Sequence, residues 1–149
     1  ELATLLLGDA KQAKSFMSKA KLHSMEELED SWWNLYEKLL STGRAVELSL
    51  KIELEDFLYN VQKLIHNKNL STDENLTGDV SIDTSAFDDS QCIGDWCAHF
   101  NSTWKNHKLV GMDIGTDSLV LMVLSNEEFK RAQELAKELL HRIDVAERL

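Results

Sequence analysis

The segment at residues 118–124 restricts the fold of this chain most, because every residue after Ser118 is apolar. A strand with one face in water alternates apolar and polar side chains. A strand that is apolar on both faces is typical of the middle of a sheet. Residues 108–114 form a second strand pattern, and Gly115-Thr116-Asp117 supply a short turn between the two. The pattern predicts a β-hairpin over residues 108–124.

A third strand is predicted at residues 45–51, where apolar and polar residues alternate. Val46, Leu48 and Leu50 share one face, and Glu47 and Ser49 share the other. This alternation indicates a half-buried strand. We therefore expect a small three-stranded sheet, with the strand at 118–124 lying between its hairpin partner and the strand at 45–51.

Helix signals cover most of the remaining chain. Gly8-Asp9 marks the end of one helix and the N-cap of the next, while Ser24 and Ser125 each precede a glutamate by three residues, as in a capping box. About six helices are predicted, one ending before Gly8, one from residue 9, and others near 24–40, 53–66, 89–104 and 125–143. The order α-α-α-β-α-α-β-β-α predicts one α+β domain over residues 1–149.

The apolar stripes of these elements point inward together, so we expect a common core. Its predicted members are Val46, Leu48, Phe57, Val61, Leu119, Leu121, Val123, Phe129, Leu135 and Leu139. Trp32, Trp96 and Trp104 also lie on buried stripes. Trp33 lies off its stripe, and it is either an exposed anchor for a partner or a residue at the edge of the core.

The acidity of the chain is local. The net charge is −10, and residues 69–104 contain seven carboxylates but no lysine or arginine. Such a surface suits a basic partner or a cation, and it argues against generic binding to nucleic acid, which needs a cationic surface. The residues predicted to contact a basic protein are Asp73, Asp79, Asp83, Asp88, Asp89, Asp95 and Trp33. The long polar loop at 67–88 is expected to be the most mobile internal segment and the main contact surface.

Part of this loop resembles a calcium-binding loop. Counting from Asp73, oxygen-bearing side chains occupy positions 1, 3 and 5 (Asp73, Asn75 and Thr77), Gly78 follows, and Asp79 comes next. The twelfth position, which normally supplies a bidentate glutamate, is Thr84. A solvated acidic loop with a turn at Gly78 is the alternative.

Zinc is a second metal candidate, through Cys92, Asp95 and His99 on one helix. A direct Cys92–His99 catalytic pair is excluded, because two helical turns separate these residues by about 10 Å along the axis. Cys92 and Cys97 are expected to be free thiols, since residues five apart on a helix point in different directions. We expect no cofactor.

The composition is that of a soluble globular protein, with 43% hydrophobic and 28% charged residues. No apolar run approaches the roughly 20 residues of a membrane span. With two cysteines and no signal-peptide pattern, the cytoplasm is the expected location.

Three segments resemble a known family. They are Ser31-Trp32-Trp33-Asn34-Leu35, Gly43-Arg44-Ala45-Val46-Glu47-Leu48 and Gly111-Met112-Asp113-Ile114-Gly115-Thr116-Asp117-Ser118. Together with the closing strand and helix, they resemble an uncharacterised family of small bacterial domains catalogued only as a domain of unknown function. The resemblance implies a bacterial cytoplasmic α+β protein and supplies no substrate, cofactor or catalytic residue.

We therefore expect a non-enzymatic interaction protein that uses an acidic surface, in the manner of immunity proteins that neutralise nuclease toxins. The alternatives are metal binding, to calcium or zinc, and a small enzyme with no recognisable motif.

Overall fold

The helices and strands lie close to where the sequence patterns place them in the computed structural model, which describes residues 1–68 and 82–149. The helices are α1 (Leu2–Leu7), α2 (Ala10–Met17), α3 (Met25–Ser41), α4 (Leu54–Asn67), α5 (Ile93–Thr103) and α6 (Asn126–Glu138). The strands are β1 (Val46–Ser49), β2 (His107–Met112), β3 (Ser118–Ser125) and β4 (Ile143–Val145). Across these described ranges, no helix has the length and apolar character needed to cross a bilayer.

In the described part of the chain, four strands form one antiparallel sheet in the order β1-β3-β2-β4. β3 lies between β1 and β2, as predicted, and Leu121 faces Val46 on one side and Gly111 on the other. The prediction of three strands is wrong, because β4 pairs with the other edge of β2 and places Val145 opposite Val110. Both hairpin strands are therefore interior strands.

The fourth strand was missed because α6 ends without a glycine or proline. Residue 143, predicted to belong to the last helix, begins β4 instead. The backbone N–H of His141 donates to the carbonyl of Ala136, and that of Leu140 donates to Lys137. These two bonds form a Schellman motif, in which the left-handed position is usually glycine. Here Leu140 occupies it with φ 59°.

The predicted common core is divided into two cores by the sheet. Successive side chains along a strand point to opposite faces, so Val120 and Met122 pack with α1, α3 and α6, while Leu119 and Leu121 pack with α4 and α5. Leu121 and Phe57 are fully buried, as predicted. Of the predicted core residues, those on the α4–α5 side are Val46, Leu48, Phe57, Val61, Leu119, Leu121 and Val123, and those on the other side are Phe129, Leu135 and Leu139.

The helix caps confirm the sequence signals at most ends. The side chains of Asp9, Ser24 and Ser125 each accept a hydrogen bond from the backbone three residues later. Gly8 ends α1 with φ 63°. The start predicted for α5 at residue 89 or 90 is wrong, because Cys92 is the N-cap and the helix begins at Ile93.

One partly buried ion pair joins the two sides of the fold. Lys68, just after α4, donates from Nζ to the Val123 carbonyl at 3.0 Å and to the Glu128 carboxylate. Glu128 also accepts from the Ser125 backbone at 2.7 Å, as part of the capping box of α6. Burial lowers the pKa of Lys68. Burial alone would raise the pKa of Glu128, but the hydrogen bonds from Lys68 and Ser125 outweigh it and lower that pKa.

We predict that Lys68→Met lowers the free energy of unfolding by about 2 kcal/mol. The variant leaves Glu128 partly buried without its cation. Because this carboxylate retains some solvent contact, the loss of unfolding free energy should stay below the roughly 3–5 kcal/mol that breaking a fully buried pair costs. Urea unfolding measures the change. The control is Glu134→Gln, which removes an exposed partner of Arg131 and should change stability by less than about 1 kcal/mol.

The same pair gives a pH dependence with a defined sign. A carboxylate whose pKa is lowered in the folded state adds stability above its unfolded pKa, and that contribution is lost as the pH falls through the folded pKa. The stability difference between the native protein and Glu128→Gln should therefore shrink as the pH falls below about 4.5. A difference that is constant between neutral pH and strong acid would contradict this assignment.

Candidate functional site

The described part of the acidic segment folds along α5. Phe87 packs its ring 4.9 Å from that of Phe100 and 4.7 Å from that of His99. The pKa of the neighbouring Asp83 carboxyl is lowered mainly by hydrogen bonds from Ser85 and, to a smaller extent, by the charge of His99. We define the acidic ridge as the four exposed aspartates of residues 82–95, which are Asp83, Asp88, Asp89 and Asp95.

Three ridge carboxylates are fixed by local hydrogen bonds. Asp83 accepts from the Ser85 hydroxyl at 2.6 Å, and Asp88 accepts from the Ser90 hydroxyl at 2.7 Å. Asp95 accepts from the thiol of Cys92 at 3.1 Å and from the backbone N–H of the same residue at 3.2 Å, across the first turn of α5. These bonds lower the pKa of all three groups. The carboxylates are therefore charged at neutral pH and held in fixed directions, but Asp83 and Asp95 also cap helical turns and Asp88 holds a turn.

The residues predicted to bind calcium or zinc are not brought together as a metal site in the described part of the chain. Asp73, Asn75, Thr77, Gly78 and Asp79, which carry the calcium and loop predictions, lie outside the described residues. In the zinc set, the Cys92 thiol donates to Asp95 at 3.1 Å, while His99 packs edge-on against Phe87. Within residues 1–68 and 82–149, no group of three histidine, cysteine or carboxylate side chains is placed to hold a metal ion.

Trp32, Trp96 and Trp104 are buried, as predicted, whereas Trp33 is exposed, with 42% of its surface accessible. It forms one wall of a surface cavity of about 360 Å³, which we call the Trp33 pocket. Leu140, 72% exposed, lines it as well. The pocket is lined by Glu29, Trp32, Trp33, Asp113, Ile114, Gly115, Leu140, His141 and Arg142.

A stacked pair of rings, a buried Trp32 and a half-buried His141, supports the pocket. The rings of Trp32 and His141 stack with centroids 4.2 Å apart and planes 7° apart. The indole N–H of Trp32 donates to the Asp113 carbonyl at 2.7 Å, which ties α3 to the hairpin turn. His141 Nε2 is buried and has no hydrogen-bond partner among the residues that the structure describes. The imidazole is therefore held by stacking rather than by a bond at that nitrogen.

Carboxylates surround Trp33 on its own helix. Glu29, Asp30 and Glu37 lie four residues before, three before and four after it, and all three are exposed. Residues at these spacings are neighbours on a helix surface. The aromatic ring therefore lies within an acidic face of α3.

The hairpin turn adds Asp113 to the pocket, where its carboxylate accepts from the backbone of Gly115 at 2.9 Å. The lining cation, Arg142, directs its guanidinium to the Asp144 carboxylate at 3.1 Å and to the Arg148 carbonyl at 2.6 Å. The pocket thus combines an exposed indole, an exposed leucine and carboxylates, which are the groups that bind a cationic side chain.

A second concave site lies between α2 and α3, and we call it the α2–α3 cleft. Its apolar end has a volume of about 170 Å³ and reaches Met17, Leu28, Trp32 and Leu139. Its polar end has a volume of about 430 Å³ and includes Ser15, Lys19, Asn34, Glu37 and Lys38. Phe16, Ala20 and Ser31 line both ends, so the two cavities adjoin at these residues.

Neither the Trp33 pocket nor the α2–α3 cleft was predicted from the sequence. The Trp33 pocket is formed by α3 together with residues 113–115 and 140–142. These segments are far apart in the sequence, and no local sequence pattern indicates that they lie close together. The cleft did have a signal, since residues 10–25 contain four lysines and no acidic residue in a chain of net charge −10.

Comparison with known protein families identifies a family for this chain. A family model described as Domain of unknown function (DUF6630) matches residues 1–146. The resemblance to a family of unknown function is therefore confirmed, whereas a bacterial origin and a cytoplasmic location stay predictions. No curated protein and no solved structure matches the chain.

We predict that a thiol reagent modifies one cysteine rapidly in the native protein. Cys92 is exposed at the N-cap of α5, while Cys97 is buried and burial raises its pKa to about 12. Cys97 should therefore react after unfolding. Time-resolved thiol titration measures both steps, and Cys92→Ser, which puts a hydroxyl in place of the N-cap thiol, should remove the rapid one. Two rapid thiols, or none, would contradict these positions.

Proposed function

Because the chain belongs to the DUF6630 family of unknown function, we propose its role from its surface. It is a non-enzymatic binding domain that recognises a basic protein partner through the Trp33 pocket. The observation that carries this proposal is the composition of the pocket, in which the exposed Trp33 and Leu140 share the lining with Glu29 and Asp113.

Each part of the pocket matches one part of an arginine or lysine side chain. A cation above an indole ring gains electrostatic attraction, and tryptophan is the best of the aromatic residues for this contact. The aliphatic stem of the same side chain can cover Leu140. Glu29 and Asp113 then face the charged end. Exposed aromatic residues of this kind are the common anchors of protein interfaces.

The backbone at Leu140 gives further support. A left-handed conformation costs a residue other than glycine roughly 1–2 kcal/mol. Leu140 has this left-handed backbone, and its large apolar side chain is also exposed to solvent. Strained positions occur most often where a side chain serves binding or catalysis. A role for Leu140 in covering a partner side chain accounts for both features.

The acidic ridge is the second proposed contact. It flanks α5, on the opposite side of the sheet from α3 and the Trp33 pocket. Its fixed carboxylates would attract a basic partner over a distance and raise the rate of encounter. A partner large enough to reach both sides would use the ridge for approach and the pocket for retention.

The first test identifies a partner by affinity capture from the native organism and then measures its affinity with purified components. Trp33→Ala should weaken binding by about 30-fold, the loss expected for an aromatic anchor worth roughly 2 kcal/mol. Tyr59→Ala is the matched control, because Tyr59 is an exposed aromatic residue, 65% accessible, on α4. Equal affinities for the two variants would refute the role of the pocket.

The second test addresses the ridge. Asp88→Asn with Asp89→Asn should slow association at low salt and leave dissociation nearly unchanged, because steering acts on the encounter. Asparagine retains the side-chain acceptor that Asp88 offers to Ser90, so the fold should be preserved. The control removes two charges from α6, by Glu127→Gln with Glu134→Gln. An association rate that is independent of salt in the native protein would count against the ridge.

A thermal-shift series with calcium and zinc tests the alternative of metal binding. A saturable increase in the unfolding temperature with either ion would favour that alternative over a purely protein-binding role.

A further inference from the structure

We propose that the α2–α3 cleft binds a small amphipathic anion, a molecule with one unbranched apolar tail and an anionic head. This ligand is distinct from the protein partner proposed above. The site is a separate cavity from the Trp33 pocket, although Trp32 and His141 line both.

The packing of α2 leaves the cleft open. Ala13 is the buried residue of this helix, while Phe16 is half-buried and Met17 is 43% exposed. Both side chains line the apolar end. A helix with a single buried residue is held mainly along one edge, so its other apolar side chains remain available to a ligand.

The apolar end has the size of a small hydrocarbon. Its volume of about 170 Å³ is slightly above the roughly 150 Å³ of a cavity that binds benzene inside a protein. Leu28, Leu135 and Leu139 contribute aliphatic walls, and Trp32 contributes an aromatic one. A tail of about six to eight carbons fits such a volume by the same comparison.

The polar end selects the charge of the head. Lys19 and Lys38 line it together with Ser15, Asn34 and Glu37. The two lysines and Glu37 leave an excess of one positive charge at the lining. Lys11, Lys14 and Lys21 add further positive charge nearby, and residues 10–25 contain no acidic side chain to offset it. This region is basic in an otherwise acidic protein, so an anionic head is attracted here and repelled by most of the remaining surface.

The charges at the apolar end orient the ligand. Glu1 and Glu138 lie there, and Glu1 is paired with Arg131 through two contacts of 2.7 Å. Glu138 leaves that end acidic, so an anionic head is disfavoured beside it. The favourable orientation places the tail near Trp32 and the head between Lys19 and Lys38.

Calorimetric titration with three probes of equal tail length tests the proposal. Octanoate should bind saturably with one site per chain, while 1-octanol should bind more weakly and octylamine weakest of all. We expect about a tenfold preference for octanoate over octylamine, since charge-assisted contacts are the stronger ones. Octyl phosphate then distinguishes a general anion site from one suited to a carboxylate. Equal affinity for octanoate and octylamine, or no saturable binding of octanoate, would overturn the proposal.

Two variants separate the parts of the site. Lys19→Gln with Lys38→Gln should weaken octanoate several-fold and leave 1-octanol unchanged, whereas Lys63→Gln with Lys130→Gln removes two lysine charges outside the cleft and should have no effect. Ala20→Leu fills the junction of the two ends and should weaken all probes. Unchanged binding by the Ala20→Leu variant, with an unfolding temperature close to the native value, would place the ligand elsewhere. Trp33→Ala should not affect octanoate, so this result is independent of the partner-binding proposal.

Discussion

The burial of β3 on both faces is the constraint on which the rest of the structure depends. A strand with apolar side chains on both sides must be covered on both sides, because exposing either would leave a large apolar surface in water. Helices α1, α3 and α6 cover one face, and α4 and α5 cover the other. The three-layer arrangement, the two cores and the ion pair between Lys68 and Glu128 all follow from this central strand.

Features that depend on neighbouring residues were predictable from the sequence. Asp9, Ser24 and Ser125 are N-caps because their side chains reach backbone groups only three residues away. The position of β3 between β1 and β2 followed from its composition. The single common core was a wrong prediction, since strand periodicity assigns residues to two faces but gives no sign of which helices cover which face.

Features that depend on distant residues were not predictable. The fourth strand was hidden because Leu140 occupies a position that glycine usually marks. The Trp33 pocket forms because Trp32 on α3 reaches Asp113, 81 residues away in the chain. The acidic ridge was visible in composition, yet its hydrogen bonds show that Asp83, Asp88 and Asp95 also hold local structure. The charge pattern of the sequence was enough to locate the acidic ridge. The structural role of its carboxylates became apparent only from their hydrogen bonds.

The left-handed leucine at the end of α6 has a consequence for protein engineering. Replacing Leu140 with glycine would remove strain of roughly 1–2 kcal/mol while adding about 0.5–1 kcal/mol of backbone entropy to the unfolded chain. The balance favours glycine, so the natural residue is not the one that optimises stability. A thermostabilised version of this domain would begin at this position and would give up a large apolar side chain on its surface.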